Sequence, residues 1–164
     1  HTFRVHTHYI GASLMVLFAC YDSPFGPIQI GHENGQIVSI QRCDAGVIHS
    51  PSPASELANH QLQEYFSGIR KSFDLPIAPK GTAFQIAAWN TLCCIPYGEV
   101  RTYGEIAAAI GKPNASRAVG MACNRNPLWI VIPCHRVVGR NHVLTGYAGG
   151  LDMKRALLEL ERSR

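Results

Sequence analysis

The stretch TYGEIAAAIGKPNASRAVGMACN, residues 102–124, is the part of the chain that decides the fold. Thr102 is placed to open a short helix that runs through Ile110 and is closed by Gly111. After a turn that contains proline, a second helix is predicted from Ala115 to Asn124. Two short helices joined by a tight turn are typical of a helix-turn-helix, although a purely structural helical pair gives the same pattern.

The second predicted helix has two dissimilar sides. On a helical wheel one side is apolar, and Arg117, Gly120 and Asn124 lie on the other. That outward side is small except for one arginine. A smooth helix face lets the backbone approach a surface closely, which suits a narrow groove better than the reading of base edges by side chains.

Basic residues are concentrated around this helix pair. The 164 residues carry a net charge of +4, and residues 101–140 hold six Lys or Arg against a single acid, Glu105. Such clustering indicates a phosphate-bearing partner such as nucleic acid, with a solvated basic face as the alternative. With 46% hydrophobic and 16% charged residues, the composition excludes a disordered tail and a membrane-embedded protein.

The first part of the chain has the pattern of a small antiparallel sheet. Strands are expected over residues 10–20, 28–30 and 36–40, the middle one half-buried, with a hairpin turn between the last two. Residues 44–55 are predicted to form a mobile loop, and residues 56–67 have the apolar spacing of a helix.

A break follows at residues 76–81, which contain two prolines and a glycine, and the excess of basic charge begins there. We therefore predict an N-terminal α/β domain over residues 1–75, a linker over 76–81 and a C-terminal domain over 82–164. The predicted fold class is α+β. It has a small domain with a three-stranded antiparallel sheet, then a mostly helical, winged-helix-like domain that contains the helix-turn-helix.

A candidate nucleophile lies just after the helix pair. Leu128 to Ile132 is a continuous apolar run that predicts a buried strand, and it ends abruptly at the pentapeptide PCHRV. Cys134 stands there beside His135 and Arg136, where positive charge is expected to lower a thiol pKa. The other five cysteines have no such polar neighbour, and none of the six forms a zinc-ribbon pair, which indicates reduced thiols.

The last predicted helix supplies an acid. Its buried stripe comprises Met153, Ala156, Leu157 and Leu160, and Glu161 lies on the flank of that stripe. An acid at a core boundary usually has a partner, and a base beside a nucleophile needs an orienting group. A terminal carboxylate in water is the alternative.

These motifs occur together in a known family. The pentapeptide PCHRV resembles the signature of the O6-alkylguanine-DNA alkyltransferases, and the chain after residue 80 matches that family throughout. The strands and helix before it resemble the family's smaller, more variable domain. The further matches, in order and at matching spacing, are GTAFQ at 81–85, IPYGE at 95–99, RAVG at 117–120, NP at 126–127 and GYAGG at 146–150.

The resemblance implies DNA repair by direct reversal. An O6-alkylguanine, or an O4-alkylthymine, would be flipped out of duplex DNA, and its alkyl group would pass irreversibly to a cysteine of the protein, once per molecule. Cys134 corresponds to the acceptor, His135 to the base that activates it through a water, and Glu161 to the group that orients His135. Asn126 corresponds to the hinge between the helix pair and the active-site turn. Tyr103 corresponds to the phenol that hydrogen-bonds or protonates guanine N3.

The resemblance also implies contacts with DNA and substrate. Arg117 corresponds to the finger that fills the gap left by the flipped nucleotide, and the backbone N–H of Ala148 would face guanine O6. The other expected DNA contacts are Ser116, Ala118, Gly120, Tyr103 and Arg136. The expected substrate pocket consists of Trp129, Val137, Tyr147, Ala148 and Gly149.

Two positions depart from the family pattern. Trp129 is bulky where some relatives have proline at the pocket wall, so the size of alkyl group that fits is open. His142 stands where many relatives have a turn glycine, and it is strained if that turn needs a positive φ.

The expected partner is duplex DNA that contains O6-alkylguanine, bound by a monomer, with cooperative assembly on DNA left open. The resemblance implies no cofactor and no metal, because the zinc ligands of some family members are not matched in this sequence and His32 alone is weak support for a zinc site. His1, His6 and His8 have no acid or cysteine at ligand spacing. No membrane contact is expected, because residues 10–20 are too short to span a bilayer. The expected location is the cytoplasm of a prokaryote or the nucleus of a eukaryote, without secretion.

Three competing functions remain at this level. A non-catalytic relative that only binds the lesion would keep the helix pair but lack the thiol. A winged-helix regulator with an incidental cysteine would not need Tyr103 and Glu161 where they are. A cysteine hydrolase is the third alternative.

Overall fold

A computed structural model describes residues 15–163. The beginning of the first predicted strand, residues 10–14, lies outside the described residues, as do His1, His6 and His8. Within residues 15–163 no helix is long and apolar enough to cross a lipid bilayer.

The N-terminal sheet has three antiparallel strands in the order β1-β2-β3: β1 Leu17–Tyr21, β2 Ile28–Glu33 and β3 Gln36–Arg42. The turn between β2 and β3 places Asn34 and Gly35 at φ 53° and 76°. Positive φ at both central residues is the conformation that joins hairpin strands through two residues. The predicted three-stranded antiparallel sheet is confirmed.

Strand β2 is buried on both faces rather than half-buried as predicted. The segment after β3 folds back over the sheet. The N–H of Asp44 donates to Gln29 Oε1 over 2.9 Å, and His32 Nε2 lies 2.6 Å from the carbonyl oxygen of Ser50. Polar side chains of the middle strand are therefore satisfied inside the protein, which an alternation of apolar and polar residues does not reveal.

Helix α1 spans Pro53–Phe66 and begins three residues before the predicted Glu56, so the end of the predicted loop 44–55 is wrong. Ser52 and Ser55 cap it reciprocally, side chain to backbone in both directions. A serine here takes the place that glutamate or glutamine usually has in a capping box. Tyr65, near the end of this helix, is fully buried.

Two segments from further along the chain lie against β3. The N–H of Ile37 donates to the Pro76 carbonyl and that of Ala78 to the Ile37 carbonyl, at 2.7 and 2.9 Å. Trp129 N–H donates to the Ile40 carbonyl over 3.0 Å. One apolar core consequently contains side chains from the sheet, α1 and the C-terminal half. The division of the chain at residues 76–81 stays a prediction.

The C-terminal half is mostly helical, as predicted. Helices α3, Tyr103–Ala109, and α4, Ser116–Asn124, form the predicted pair, with Thr102 accepting from the Glu105 N–H at the start of α3 and Gly111 at φ 85° after its end. The elements are α2 Ala83–Leu92, β4 Arg101–Thr102, α3 Tyr103–Ala109, α4 Ser116–Asn124, β5 Val137–Val138 and α5 Leu151–Arg162. Strands β4 and β5 pair in parallel, which fixes the start of α3 beside the segment that follows Cys134.

The predicted strand over Leu128–Ile132 is wrong, because these residues form a tight buried loop. Ile130 has φ 73°, and the N–H of Ile132 donates back to the Leu128 carbonyl over 3.0 Å. A positive φ costs a β-branched residue roughly 1–3 kcal/mol, so the surroundings must enforce it. Asn126 does so by accepting from Leu128 N–H and donating to the Ile132 carbonyl, both at 2.8 Å.

Candidate active site

Cys134 begins a short 3-10 turn, Cys134–Arg136, directly after the buried loop. It is 4% exposed. Its N–H donates to the Ile132 carbonyl, whose other partner is the Asn126 side chain. Asn126 therefore links the end of α4 to the turn that presents the thiol, in keeping with the hinge position expected for it.

His135 follows Cys134 in the chain, is fully buried and faces Glu161. Its Nε2 lies 2.7 Å from Glu161 Oε2, and its Nδ1 has no hydrogen-bond partner among the described residues. Burial lowers the pKa of His135 despite the adjacent carboxylate, so the imidazole is neutral near pH 7. With Nε2–H donated to Glu161, Nδ1 keeps its lone pair and can accept a proton.

Glu161, on the last turn of α5, is the centre of this network. Tyr65 Oη donates to its Oε2 over 2.6 Å, and Arg136 donates to both oxygens over 2.9 and 3.0 Å. The Gly98 N–H adds a further bond of 3.2 Å. Burial opposes ionisation, but hydrogen bonds from His135, Arg136 and Tyr65 outweigh it and hold the pKa of Glu161 well below its usual range.

The structure corrects the expected role of Arg136. Its guanidinium is buried against Glu161, and Nη1 donates to the Ile95 carbonyl over 2.7 Å. It cannot reach a phosphate without breaking these bonds, so its position contradicts the expected contact with DNA. The pentapeptide alone could not show this, because its two partners lie 41 and 25 residues away in the sequence.

The pKa of Cys134 also differs from the expectation. Burial and the neighbouring Cys123 thiol raise it well above the ordinary value, although Asn126 and Lys154 act in the opposite direction. The expected lowering by His135 and Arg136 is wrong, because His135 is neutral and the Arg136 charge is committed to Glu161. The resting thiol is therefore protonated.

Lys154 is a buried residue that the sequence reasoning missed. It is 0% exposed, and its Nζ donates to the carbonyl oxygens of Val137 and Thr145. Its charge is the one that favours the Cys134 thiolate, and burial lowers its own pKa. The sequence feature that could have indicated its burial is its position next to Met153, on the inner side of α5.

The segment between β5 and α5, residues 139–150, closes over this site. Thr145 Oγ1 donates to Tyr103 Oη over 3.0 Å, and the Tyr147 ring lies 6.3 Å from Trp129. Burial is the main reason that the pKa of Tyr103 is raised, so its phenol stays protonated. Tyr103 therefore stands ready as a donor, but its hydroxyl is engaged by this segment.

The other residues expected to line the substrate pocket differ in how far they are exposed. Val137 is fully buried in the core and Ala148 is exposed, whereas the Gly149 carbonyl accepts from Arg42 over 3.4 Å. His142 stands at φ 60°, so the strain expected there is present.

Helix α4 presents the expected surface. Arg117 is exposed, while Ser116, Ala118 and Gly120 are half-buried. A Cβ on Gly120 would lie 3.9 Å from the Tyr103 ring, so α4, Tyr103 and the closing segment meet at one place. The helix also exposes Met121, 61% accessible, a larger apolar side chain than the smooth face predicted there.

Among residues 15–163 no group of three or more His, Cys, Asp or Glu side chains is arranged to hold a metal ion. His32 is engaged with the Ser50 carbonyl instead.

A helix-turn-helix beside a buried cysteine with a histidine–glutamate relay defines a DNA-binding protein that carries its own nucleophile. The family described as 6-O-methylguanine DNA methyltransferase matches the chain twice, its DNA binding domain over residues 83–163 and its ribonuclease-like domain over residues 16–79. The chain belongs to this family, which confirms the family and enzyme class expected from the sequence.

Two sequence relatives and one solved structure support the family assignment. The methylated-DNA–protein-cysteine methyltransferase of Methanosarcina acetivorans is 52% identical over 154 residues, 89% of this chain and 98% of that protein. The constitutive enzyme of that name from Bacillus subtilis is 43% identical over 159 residues, 90% of this chain and 96% of that protein. The crystal structure of Mycobacterium tuberculosis OGT in complex with DNA has a TM-score of 0.84 at 43% identity, covering 90% of this chain and 94% of that one. The α+β fold class is confirmed.

Proposed function

We propose that this chain repairs duplex DNA by moving the alkyl group of O6-alkylguanine, and of O4-alkylthymine, onto the sulfur of Cys134. The observation that carries the proposal is the Nδ1 atom of His135, which is buried, has no hydrogen-bond partner among the described residues and belongs to the residue that follows Cys134 in the chain. Family membership supports the reaction class. A protein that only binds the lesion has no need of such a relay.

The reaction begins with a neutral thiol and a neutral imidazole. Nδ1 of His135 takes the Cys134 proton through one water, and Glu161 stabilises the imidazolium that forms. The thiolate attacks the alkyl carbon, the carbon–oxygen bond breaks, and its electron pair moves onto the guanine. Tyr103 donates to N3, where charge develops. The product is a thioether that water does not cleave, so each molecule reacts once.

The alkyl carbon of a stacked, paired guanine is out of reach of a thiol that is 4% exposed. The nucleotide must therefore leave the stack. We assign α4 to the minor groove and Arg117 to the gap in the stack. Trp129, Tyr147 and the backbone of Ala148 and Gly149 enclose the flipped base once residues 139–150 move aside.

The protein acts as a monomer without cofactor, in the compartment that holds the DNA. That compartment is the cytoplasm of a prokaryote or the nucleus of a eukaryote.

The test is repair of a duplex that contains one O6-methylguanine. Wild-type protein should remove methyl groups in an amount equal to the protein present and then stop. Cys134→Ser should remove none, because a hydroxyl is a far poorer nucleophile near neutral pH, yet bind the duplex within about twofold of wild type. Removal of methyl groups by Cys134→Ser would overturn the assignment. Binding by the wild type without any removal would favour the non-catalytic alternative.

A further inference from the structure

Two cysteines outside the active site have their sulfur atoms in contact. Cys20 lies in β1 and Cys43 directly follows β3, and their Sγ atoms are 2.9 Å apart. Both are free thiols and both are partly exposed. The repair reaction uses neither of them.

The backbone on each side of this pair is fixed. The Cys20 N–H donates to Nδ1 of His49 over 3.0 Å, and the Cys43 N–H donates to the Pro27 carbonyl over 2.9 Å. A disulfide bond is about 2.05 Å long, so the sulfurs need to approach by about 0.9 Å.

The two thiols are not equivalent. Burial and the adjacent Cys43 sulfur raise the pKa of Cys20 to about 11. Cys20 therefore keeps its proton near neutral pH, so we assign the first attack to Cys43.

We propose that Cys20 and Cys43 are a redox-sensitive dithiol that closes to an intramolecular disulfide by exchange with a low-molecular-weight disulfide such as oxidised glutathione. The Cys43 thiolate attacks one glutathione sulfur and releases one glutathione thiolate. Cys20 loses its proton and attacks the Cys43 sulfur, which releases the second glutathione. Two protein thiols are oxidised, and one glutathione disulfide is reduced to two thiols.

The bond would cross β2 and tie β1 to the end of β3. It closes a loop between residues 23 positions apart, which restricts the unfolded chain. For a loop of this size in a chain of this length, the oxidised protein should unfold about 5–10 °C higher than the reduced one. The N-terminal sheet would then respond to oxidising conditions independently of alkyl transfer.

Peptide mapping tests the proposal on the full chain. Trypsin cleaves after Arg42, so it separates Cys20, in peptide 5–42, from Cys43, in peptide 43–70. After incubation with oxidised glutathione, alkylation of the remaining thiols and digestion without reductant, these two peptides should be joined. The number of free thiols should fall from six to four, and the peptide with Cys134 should be recovered alkylated.

Three variants make the result decisive. Cys43→Ser should retain its five thiols and show no rise in unfolding temperature, whereas Cys94→Ser should cross-link like wild type. Cys20→Ser should accumulate glutathione on Cys43, because the second attack is missing. Any of three results overturns the proposal: unjoined peptides, a bond between Cys93 and Cys94 instead, or a Cys20→Ser variant that carries no glutathione.

Discussion

A single carboxylate organises the active site. Glu161 accepts from His135, Arg136, Tyr65 and the Gly98 N–H, so it stays ionised although it is 3% exposed. That buried negative charge selects the imidazole tautomer with a free Nδ1 and stabilises the imidazolium during transfer. Both the rate of alkyl transfer and the stability of the fold should therefore depend on it.

Glu161→Gln should slow single-turnover transfer about 10²–10⁴-fold, because an amide orients His135 less well and does not offset an imidazolium charge. It should also lower the free energy of unfolding by roughly 3–5 kcal/mol, because Arg136 is left buried without its counter-ion. Rapid-quench kinetics and urea unfolding measure the two effects. Tyr65→Phe, which removes one hydrogen-bond donor to Glu161 but leaves its ion pairs, is the matched control. It should slow transfer less, and lower the free energy of unfolding less, than Glu161→Gln does. A normal transfer rate in Glu161→Gln would exclude Glu161 from the mechanism.

The Cys123 thiol raises the pKa of Cys134. Cys123→Ala should therefore move the pH–rate profile of transfer to lower pH, since a lower Cys134 pKa gives more thiolate at any pH below it. The measurement is the single-turnover rate between pH 6 and pH 10, roughly the range of thiol titration. Cys94→Ala, at an exposed cysteine, should leave the profile in place. A shift to higher pH in Cys123→Ala would mean that Cys123 helps the thiolate form.

At this scale the sequence predicted the candidate reacting residues but not the side chains that support them. Cys134, His135 and Glu161 follow from one motif and from helical periodicity. Tyr65 lies 96 residues from Glu161, and no local pattern joins them. Lys154 was missed because a lysine is rarely buried, and its partners are backbone carbonyls that carry no sequence signal.

At the scale of elements, the segment 139–150 lies beside the proposed substrate pocket. Thr145 in this segment donates a hydrogen bond to Tyr103, the phenol proposed to donate to the flipped base. We expect the segment to move aside when the base enters, which breaks this bond.

Thr145→Val should speed transfer from both duplex DNA and free O6-benzylguanine by roughly 2–10-fold, the net value of one hydrogen bond. Single-turnover rates with the two substrates measure the effect. Tyr103→Phe removes the same bond and should nevertheless slow transfer, since it also removes the donor to guanine N3. Equal slowing by both variants would show that the bond supports the site instead of closing it.

Helix α4 carries the prediction that concerns DNA. Extrusion of a nucleotide costs a few kcal/mol, which an inserted guanidinium offsets by stacking and hydrogen bonding. Arg117→Ala should therefore slow transfer from a paired lesion about tenfold or more, slow it less from a mismatched lesion and leave free O6-benzylguanine unaffected. Equal slowing with the free base and with duplex DNA would mean that Arg117 supports the fold.

The elements also show where periodicity fails. Helices α2 and α3 were predictable because a threonine cap and apolar spacing agree in each, whereas α4 has no side-chain cap and was predicted from its apolar spacing after the proline turn. The run Leu128–Ile132 was not, because a continuous apolar run shows only that a segment is buried. The Asn126 side chain stabilises the loop by hydrogen-bonding to two backbone groups of that run, the Leu128 N–H and the Ile132 carbonyl.

For the whole molecule, the two halves share one core and one active site. Tyr65 reaches Glu161 from the N-terminal half, and residues 76–78 and 127–129 hydrogen-bond to β3. The fold class could be predicted from element order. The joining of the halves could not, because it depends on backbone bonds between segments far apart in sequence.

The most direct test of the account is to locate the transferred group. Trypsin separates the two neighbouring thiols, with Cys123 in peptide 118–125 and Cys134 in peptide 126–136. After reaction with a duplex that contains O6-methylguanine, mass spectrometry should find one methyl group per chain, on peptide 126–136 alone. A methyl group on peptide 118–125, or a protein that stays unmodified while it binds the duplex, would contradict the account.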